Sequence, residues 1–316
     1  MEAFRVLEPG IYTTVQDKGR YGYQKFGVPI SGAMDQFAYR VANLLVGNPE
    51  DAAALEITIL GPRLEILSEA DIAVTGAEIP ILLNDEPMEG WASFRVKPGD
   101  LLEIKQTARG CRAYLAVTGS IDVPVVMGSR STYVGGRIGG YGGRPLRKGD
   151  ILSRGEGRLL KARRRLPHEF IPTYPREILL RAIPGPQDDH FDEGLDVFFG
   201  SEFRVTPNAD RMGYRLEGPP VPHREGAPRG IISEPSVPGG VQIPPDGQPI
   251  ILLLEQTVGG YPKIATVITP DIDRVAQAKP GDRVRFERVD LETAHGILHL
   301  QEEAFERIRK RITMGA

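Results

Sequence analysis

The chain has 316 residues, 41% of them hydrophobic and 26% charged, a make-up that suits a soluble globular protein long enough for two ordinary domains. Lysine and arginine (39) nearly balance aspartate and glutamate (42), so there is no global basic field to attract nucleic acid or anionic lipid. Glycine (37) and proline (27) make up about a fifth of the chain, against roughly 12% in average usage, which excludes a helical bundle or coiled coil.

The opening MEAFRVLEPG carries an acid and no apolar run, so it does not read as a signal peptide. Residues 11–15 read as a first strand. A dense polar cluster overlaps its end, 14–22 and on to 35, with glycines at 19, 22, 27 and 32 that let backbone approach a ligand or partner. Gln16, Asp17, Arg20 and Asp35 are the polar groups around them. Apolar residues Met34, Phe37, Ala38, Val41, Leu44 and Leu45 recur at helical spacing, which predicts a helix over 33–46 with Ser31 as N-cap and Gly47 as its stop.

Short β-branched runs at 54–60, 71–75, 101–104 and 114–118 read as further strands. Lone Cys111 excludes an intramolecular disulfide and a thiolate-only metal cage, and fits a reducing compartment. The glycine-rich run 135–143 is expensive to order. Either it is disordered, or ordering it serves something. It is no dinucleotide fingerprint, since Pro145 stands at the final glycine position. Residues 154–176 are basic and proline-interrupted. They suggest a linker over 156–175 between an N-terminal half, 1–155, and a C-terminal half, 176–316. The charges at 161–165 read as a solvated linker face rather than a nucleic-acid patch.

The second half repeats the pattern, with strands at 178–183, 250–254, 265–269 and 283–289. In the last of these, Val284 and Phe286 alternate with charges. The apolar run at 250–254 is far short of a membrane span. Lys97-Pro98-Gly99-Asp100 and Lys279-Pro280-Gly281-Asp282 each lead into an apolar run late in their half, and Arg147-Lys148-Gly149-Asp150 is a weaker third copy. This echo is what two similar barrels would require, although a Pro-Gly-Asp turn before a strand is also common in β proteins. A closing helix from about 291 to 312 carries Leu298, Phe305, Ile308 and Ile312 on one side. Its Glu303–Arg307 and Glu306–Lys310 pairs are worth about 0.3 kcal/mol each. His295 and His299 lie four apart on it, but Gly296 stands where a metalloprotease would need its glutamate, so no metal ligand is assigned.

Two clusters in this half suit anion handling. In Asp210-Arg211-Met212-Gly213-Tyr214-Arg215, the two arginines offer planar forks for a carboxylate or carbonate. In Gln256-Thr257-Val258-Gly259-Gly260-Tyr261-Pro262-Lys263, side chains and glycine amides could donate to an oxyanion, and Lys263 could act as a point charge or base. Arginines also often pair with structural acids, and Gly-Gly-Tyr-Pro also serves as a turn.

The segments TVQDKGRYGYQKFGVPISGAMD, GGRIGGYGGRPLRKGD, DRMGYRLEG, VQIPPDGQPI and QTVGGYPKI resemble the allophanate hydrolase subunit 2 family. That family takes in the kinase-inhibitor antagonist proteins, described as the C subunit of bacterial 5-oxoprolinase, and one half of the carboxyltransferase region of urea carboxylase. The resemblance implies a mostly β fold with a few helices, in two cyclophilin-like β-barrel halves. It implies two partners, a kinase-inhibitor-like B subunit with a larger A subunit, and joint ATP-dependent opening of 5-oxo-L-proline to L-glutamate in the cytoplasm. Carried over residue by residue, it points to Gln16, Asp17, Arg20, Arg211, Met212, Gly213, Tyr214, Gln256, Thr257, Gly259, Gly260, Tyr261 and Lys263. Lys263, Arg211 and Tyr214 are the catalytic candidates; Gln16, Asp17, Arg20, Arg215, Gln256, Thr257, Gly259, Gly260 and Tyr261 are the substrate-binding ones. Ala209 stands where the family often has serine. Glu255 abuts Gln256 where the family more often has Asp-x-Gln-Thr, so no acidic role is transferred to it. The sequence has no phosphate loop and no biotin-attachment Met-Lys-Met. The expectation is therefore a non-autonomous protein with no covalent cofactor, ATP being used on a partner. The alternatives are the carboxyltransferase component of a biotin-dependent enzyme and a regulator that sequesters a kinase inhibitor.

Overall fold

A computed structural model describes residues 1–314 and divides the chain into two units. The first comprises residues 1–21, 31–174 and those from Ala304 onward; the second comprises 22–30 and 175–303. The expected cut around a 156–175 linker is therefore revised. Residues 156–174 belong to the first unit, where Leu166 is buried and Arg164 donates to the Leu44 carbonyl. The closing helix turns belong there too.

The first unit contains β1 (Glu2–Glu8), β2 (Tyr12–Gln16), α1 (Gln36–Leu45), β3 (Ala54–Thr58), β4 (Arg63–Ile66), β5 (Ala70–Glu78), β6 (Ile81–Leu83), β7 (Glu86–Met88), β8 (Ser93–Val96), β9 (Leu101–Ile104), β10 (Arg109–Val117), β11 (Ile121–Asp122) and β12 (Ile151–Arg154). These strands form two open sheets, ordered β11-β12-β1-β4-β9-β6-β7 and β2-β3-β10-β5-β8. Alternation sends Phe4, Leu64, Leu102 and Ile104 from one sheet, and Val15, Leu55, Ile72 and Leu115 from the other, into a shared core. The opposite face of the five-stranded sheet packs Ala73, Tyr114 and Ala116 against Tyr39, Val41 and Leu45 of α1 and against Phe305, Ile308 and Ile312. The N-cap of α1 is Asp35, whose carboxylate accepts from Ala38 N at 2.8 Å. Ser31, the expected cap, lies upstream at φ 53°. The Tyr114 hydroxyl fixes the cap by accepting from Asp35 N at 2.8 Å and donating to Glu56 at 2.8 Å.

The second unit contains β13 (Glu177–Pro184), α2 (Asp192–Gly200), β14 (Glu202–Ala209), β15 (Gly213–Glu217), β16 (Glu234–Pro235), β17 (Gly240–Gln242), β18 (Ile250–Leu252), β19 (Val258–Gly259), β20 (Lys263–Val267), α3 (Thr269–Gln277), β21 (Arg283–Arg288) and the start of α4 (Leu291–Met314). Seven strands close into a barrel in the order β13-β20-β17-β18-β15-β14-β21, and β16 and β19 form a separate ribbon. The mostly β class with a few helices stands. The expectation of two barrels is corrected, because only the second unit closes and the first stacks two open sheets. The sequence reading also missed α2 and α3. Each is nine residues long, and α3 begins at Thr269-Pro270, inside the run read as strand 265–269.

The three-fold echo builds one turn three times. In each copy the aspartate carboxylate accepts the amide three residues earlier: Lys97 N to Asp100 at 2.7 Å, Arg147 N to Asp150 at 2.7 Å and Lys279 N to Asp282 at 2.8 Å. The glycine adopts φ 91°, 88° and 94° in turn, which is why glycine stands there. Each turn docks its glycine amide on a neighbouring strand, at Ile66 O, Val6 O and Val205 O. The echo therefore marks equivalent strand entries in both units, even though the sheets close differently.

Candidate functional site

Side-chain direction along β15, β18 and β17 decides what a ligand can meet. Tyr214 pairs with Ile251, and Ile251 with Val241; all three are buried in the barrel interior. One residue along, Arg215 pairs with Ile250, and Ile250 with Gln242, so this row lies on the opposite face. That face floors a cleft of about 520 Å3. Its walls are the hairpin tip (Asn208, Ala209, Asp210, Met212 and Gly213) and, on the far side, Gln256 and Tyr261.

Of the catalytic and substrate-binding candidates, Arg215, Gln256 and Tyr261 line this cleft. Arg215 is exposed and has no acidic partner among the described residues. Asp210 caps its own hairpin, accepting from Met212 N at 2.8 Å and Gly213 N at 3.2 Å. Tyr214 is placed in the barrel interior, where its hydroxyl donates to the Ala278 carbonyl at 3.3 Å. Arg211 is buried with Nε 2.6 Å from Glu255 Oε1, and the Arg211 carbonyl accepts from Glu255 N at 3.0 Å. Together these bonds clip the hairpin tip to the segment after β18. Glu255, to which the sequence reading gave no acidic role, is the arginine's counter-ion.

Lys263 pairs with Gln242 across β17 and β20 and is also buried, outside the cleft lining, with Nζ 2.5 Å from Glu234 Oε1 on the β16–β19 ribbon. Gln187 donates to the same carboxylate at 3.2 Å and accepts Lys263 N at 3.0 Å. The Lys263 hydrogen bond holds the Glu234 carboxyl below the usual glutamate range, against the opposing effect of burial. Thr257, Gly259 and Gly260 form the ribbon's other edge. Ser236 N and Gln24 donate to the Thr257 carbonyl, Ile231 N donates to that of Gly260, and Gly259 pairs with Glu234.

Gln16, Asp17 and Arg20 sit in the first unit, in a network of their own. The Asp17 carboxylate accepts from Gly19 N (2.9 Å), Ser129 Oγ (2.6 Å), Ser131 Oγ (2.5 Å) and Arg130 N (2.5 Å). Arg20 donates to the Ser131 carbonyl at 2.8 Å and the Val126 carbonyl at 3.0 Å. Gln16 donates to Thr132 O and accepts from Gly32 N. This network orders the glycine-rich run. A Cβ on Gly139 would meet Ser131 O at 2.2 Å, and one on Gly140 would meet Thr132 Oγ1 at 1.8 Å. Asp17 also borders a groove of about 630 Å3, but its carboxylate is already held by these four donors, three on Oδ1 and one on Oδ2.

The sequence reading missed Gln242, which is 3% exposed and lines the cleft, along with Asn208, Glu234 and Gln187. Gln242 carried a usable signal, as a carboxamide between Val241 and Ile243 on a strand where alternation must turn it away from the apolar interior. The cleft can grip a carboxylate bidentately through Arg215 and align an amide on carboxamide and hydroxyl groups. Among the described residues, no group of three His, Cys, Asp or Glu side chains is placed to hold a metal. No helix there is long and apolar enough to cross a membrane.

Comparison with known proteins gives this geometry a family. The C subunit of 5-oxoprolinase from Escherichia coli K12 is 38% identical over 98% of both chains, and that of Haemophilus influenzae is 34% identical over 96% of this chain and 97% of its own. The crystal structure of K. lactis urea amidolyase superposes with a TM-score of 0.91 at 34% identity, over 97% of this chain but 20% of that one. The family described as carboxyltransferase domain, subdomain A and B, matches residues 26–288. The chain belongs to this carboxyltransferase domain family.

Proposed function

We propose that the chain is the C subunit of a multi-subunit, cytoplasmic 5-oxoprolinase, which opens 5-oxo-L-proline to L-glutamate with ATP and is active only with its A and B subunits. The observation that carries this reading is the end-to-end likeness to the C subunit of the E. coli 5-oxoprolinase, which leaves almost nothing of either chain unmatched. The cleft supports it, being of ligand size with hydrogen-bonding walls around a half-buried apolar floor. Arg215, Gln256 and Tyr261 bind and orient the substrate there. Lys263 and Arg211, each in an ion pair, hold the walls in place, and Tyr214 supports the floor from inside the barrel. Opening a lactam needs activation of a poor electrophile. ATP supplies that by phosphorylating the amide oxygen on a partner, and this chain holds the substrate in register.

The test is ATP-dependent glutamate release from 5-oxo-L-proline by this chain mixed with A and B subunits, then with each omitted. Activity that vanishes on omitting this chain is expected; equal activity without it would overturn the reading. The likeness to urea amidolyase favours a second reading, carboxyl transfer from a biotin carrier to a urea-like amide. A biotinylated protein that co-purifies with the chain, detected with streptavidin, would move the assignment there.

A further inference from the structure

We infer that Arg215 and Gln242 together read a small cyclic amide bearing a carboxylate, and that Arg215 sets the preference for this substrate over uncharged amides. This rests on the 5-oxoprolinase reading and deepens it. Arg215, Ile250 and Gln242 form one row across three adjacent strands. The two polar residues are therefore two interstrand spacings apart, about 10 Å between Cα atoms. Half-buried Ile250 lies between them as an apolar floor for ring methylenes.

The two ends of the row offer different chemistry. Gln242 is 3% exposed, yet its Oε1 meets no donor among the described residues, and its Nε2 makes one long bond, 3.4 Å to Tyr261 O. An amide nitrogen carries two hydrogens, so one acceptor and one donor remain for a ligand. The closed ring of a lactam holds its N–H and C=O on the same side, the complement of that pair. The backbone fits closely over Gln242, since a Cβ on Gly259 would stand 2.0 Å from Nε2, so the carboxamide is held in place. At the other end, Arg215 has no acid within salt-bridge distance among the described residues, whereas its near neighbour Arg211 is paired with Glu255. An unpaired guanidinium beside an amide reader is a carboxylate fork. Urea and 2-pyrrolidinone satisfy Gln242 alone; 5-oxo-L-proline, with its carboxylate next to the ring nitrogen, satisfies both.

The test uses the assembled complex with 5-oxo-L-proline and, separately, 2-pyrrolidinone. Arg215→Ala is expected to raise KM for 5-oxo-L-proline tenfold to a hundredfold and to leave 2-pyrrolidinone turnover unchanged, with Arg215→Lys in between. Gln242→Glu, nearly isosteric, is expected to lower kcat/KM for both. An unchanged KM for 5-oxo-L-proline in Arg215→Ala, equal losses for the two substrates, or an inert Gln242→Glu would each overturn the inference while leaving the oxoprolinase reading intact. If the wild-type complex releases no glutamate, that reading fails. Direct titration of the chain with the two lactams then decides the site: binding of 5-oxo-L-proline that Arg215→Ala abolishes supports it, and no binding to the wild type overturns it.

Discussion

The Asp17 network of the first unit and the cleft of the second use the same vocabulary of glycine turns, arginine, glutamine and aspartate, and they use it oppositely. Around Asp17 the carboxylate has four donors, and Arg20 and Gln16 are bonded to backbone carbonyls of the same loop. Along the Arg215–Ile250–Gln242 row, among the described residues, the guanidinium has no acid and the carboxamide keeps an acceptor open. Residue type and spacing look alike in the two places. What separates a fastener from a binding surface is how much of the hydrogen-bonding capacity is already used within the fold.

The sharpest way to break this comparison is to remove the fastener. Asp17→Ala strands two hydroxyls and two backbone amides in a buried site. At about 1–3 kcal/mol for each group left unsatisfied, less whatever water recovers, the loss should reach about 4 kcal/mol. Urea unfolding of the isolated chain measures it; a loss under about 1 kcal/mol would mean the network is not structural. Next in size is the clip between the cleft walls. Arg211→Met leaves Glu255 buried without its ion pair and should cost about 3 kcal/mol. The double variant Arg211→Met with Glu255→Leu should recover most of that, because an apolar pair can replace a buried ion pair. If the double variant folds well but the complex is dead, Arg211 is doing chemistry and not only joining walls.

How much of this was legible depends on whether the signal is local. The strand at 283–288 was readable because Val284 and Phe286 alternate with charges, and the Lys-Pro-Gly-Asp echo because each turn is closed by its own aspartate. The membership of 156–174 in the first unit was not, since the basic run satisfies itself on distant groups: Arg164 on Leu44 O, and Arg163 and Arg165 on Glu89. Arg211 and Arg215 are indistinguishable as letters. Only strand register puts the second on the cleft face, and only the return of the chain at Glu255 neutralises the first. Asp17 was marked by its glycine-rich setting, but Ser129 and Ser131, which both donate to its Oδ1, lie more than a hundred residues on.

A smaller effect sharpens the comparison at Lys263, which neighbours Gln242 in the barrel but is tied as Asp17 is. The folded-state pKa of Glu234 is lowered by the Lys263 hydrogen bond, so the clasp contributes fully above the ordinary glutamate value of 4.5 and is lost as pH falls through the lower folded value. Glu234 is partly exposed, and solvent screening keeps the contribution under about 1 kcal/mol. Thermal unfolding of wild type and Glu234→Gln between pH 7 and 3 should therefore converge at the acid end, with the wild type more stable at the neutral end. Curves that diverge as pH falls would mean that the pair is not what holds the ribbon.

The smallest expected stability effect is at Arg215, and its smallness is the point. The side chain is exposed and has no acidic partner among the described residues, so Arg215→Ala removes no internal ion pair and leaves no buried group stranded. Unfolding free energy should stay within about 0.5 kcal/mol of wild type, the ordinary range for a surface substitution. A guanidinium that the fold does not need, standing on the same row as a buried carboxamide with an open acceptor, is available to something outside the fold. A loss of about 2 kcal/mol or more on its removal, well beyond that surface range, would show instead that Arg215 is a fastener like Asp17, and the contrast between the two regions would collapse.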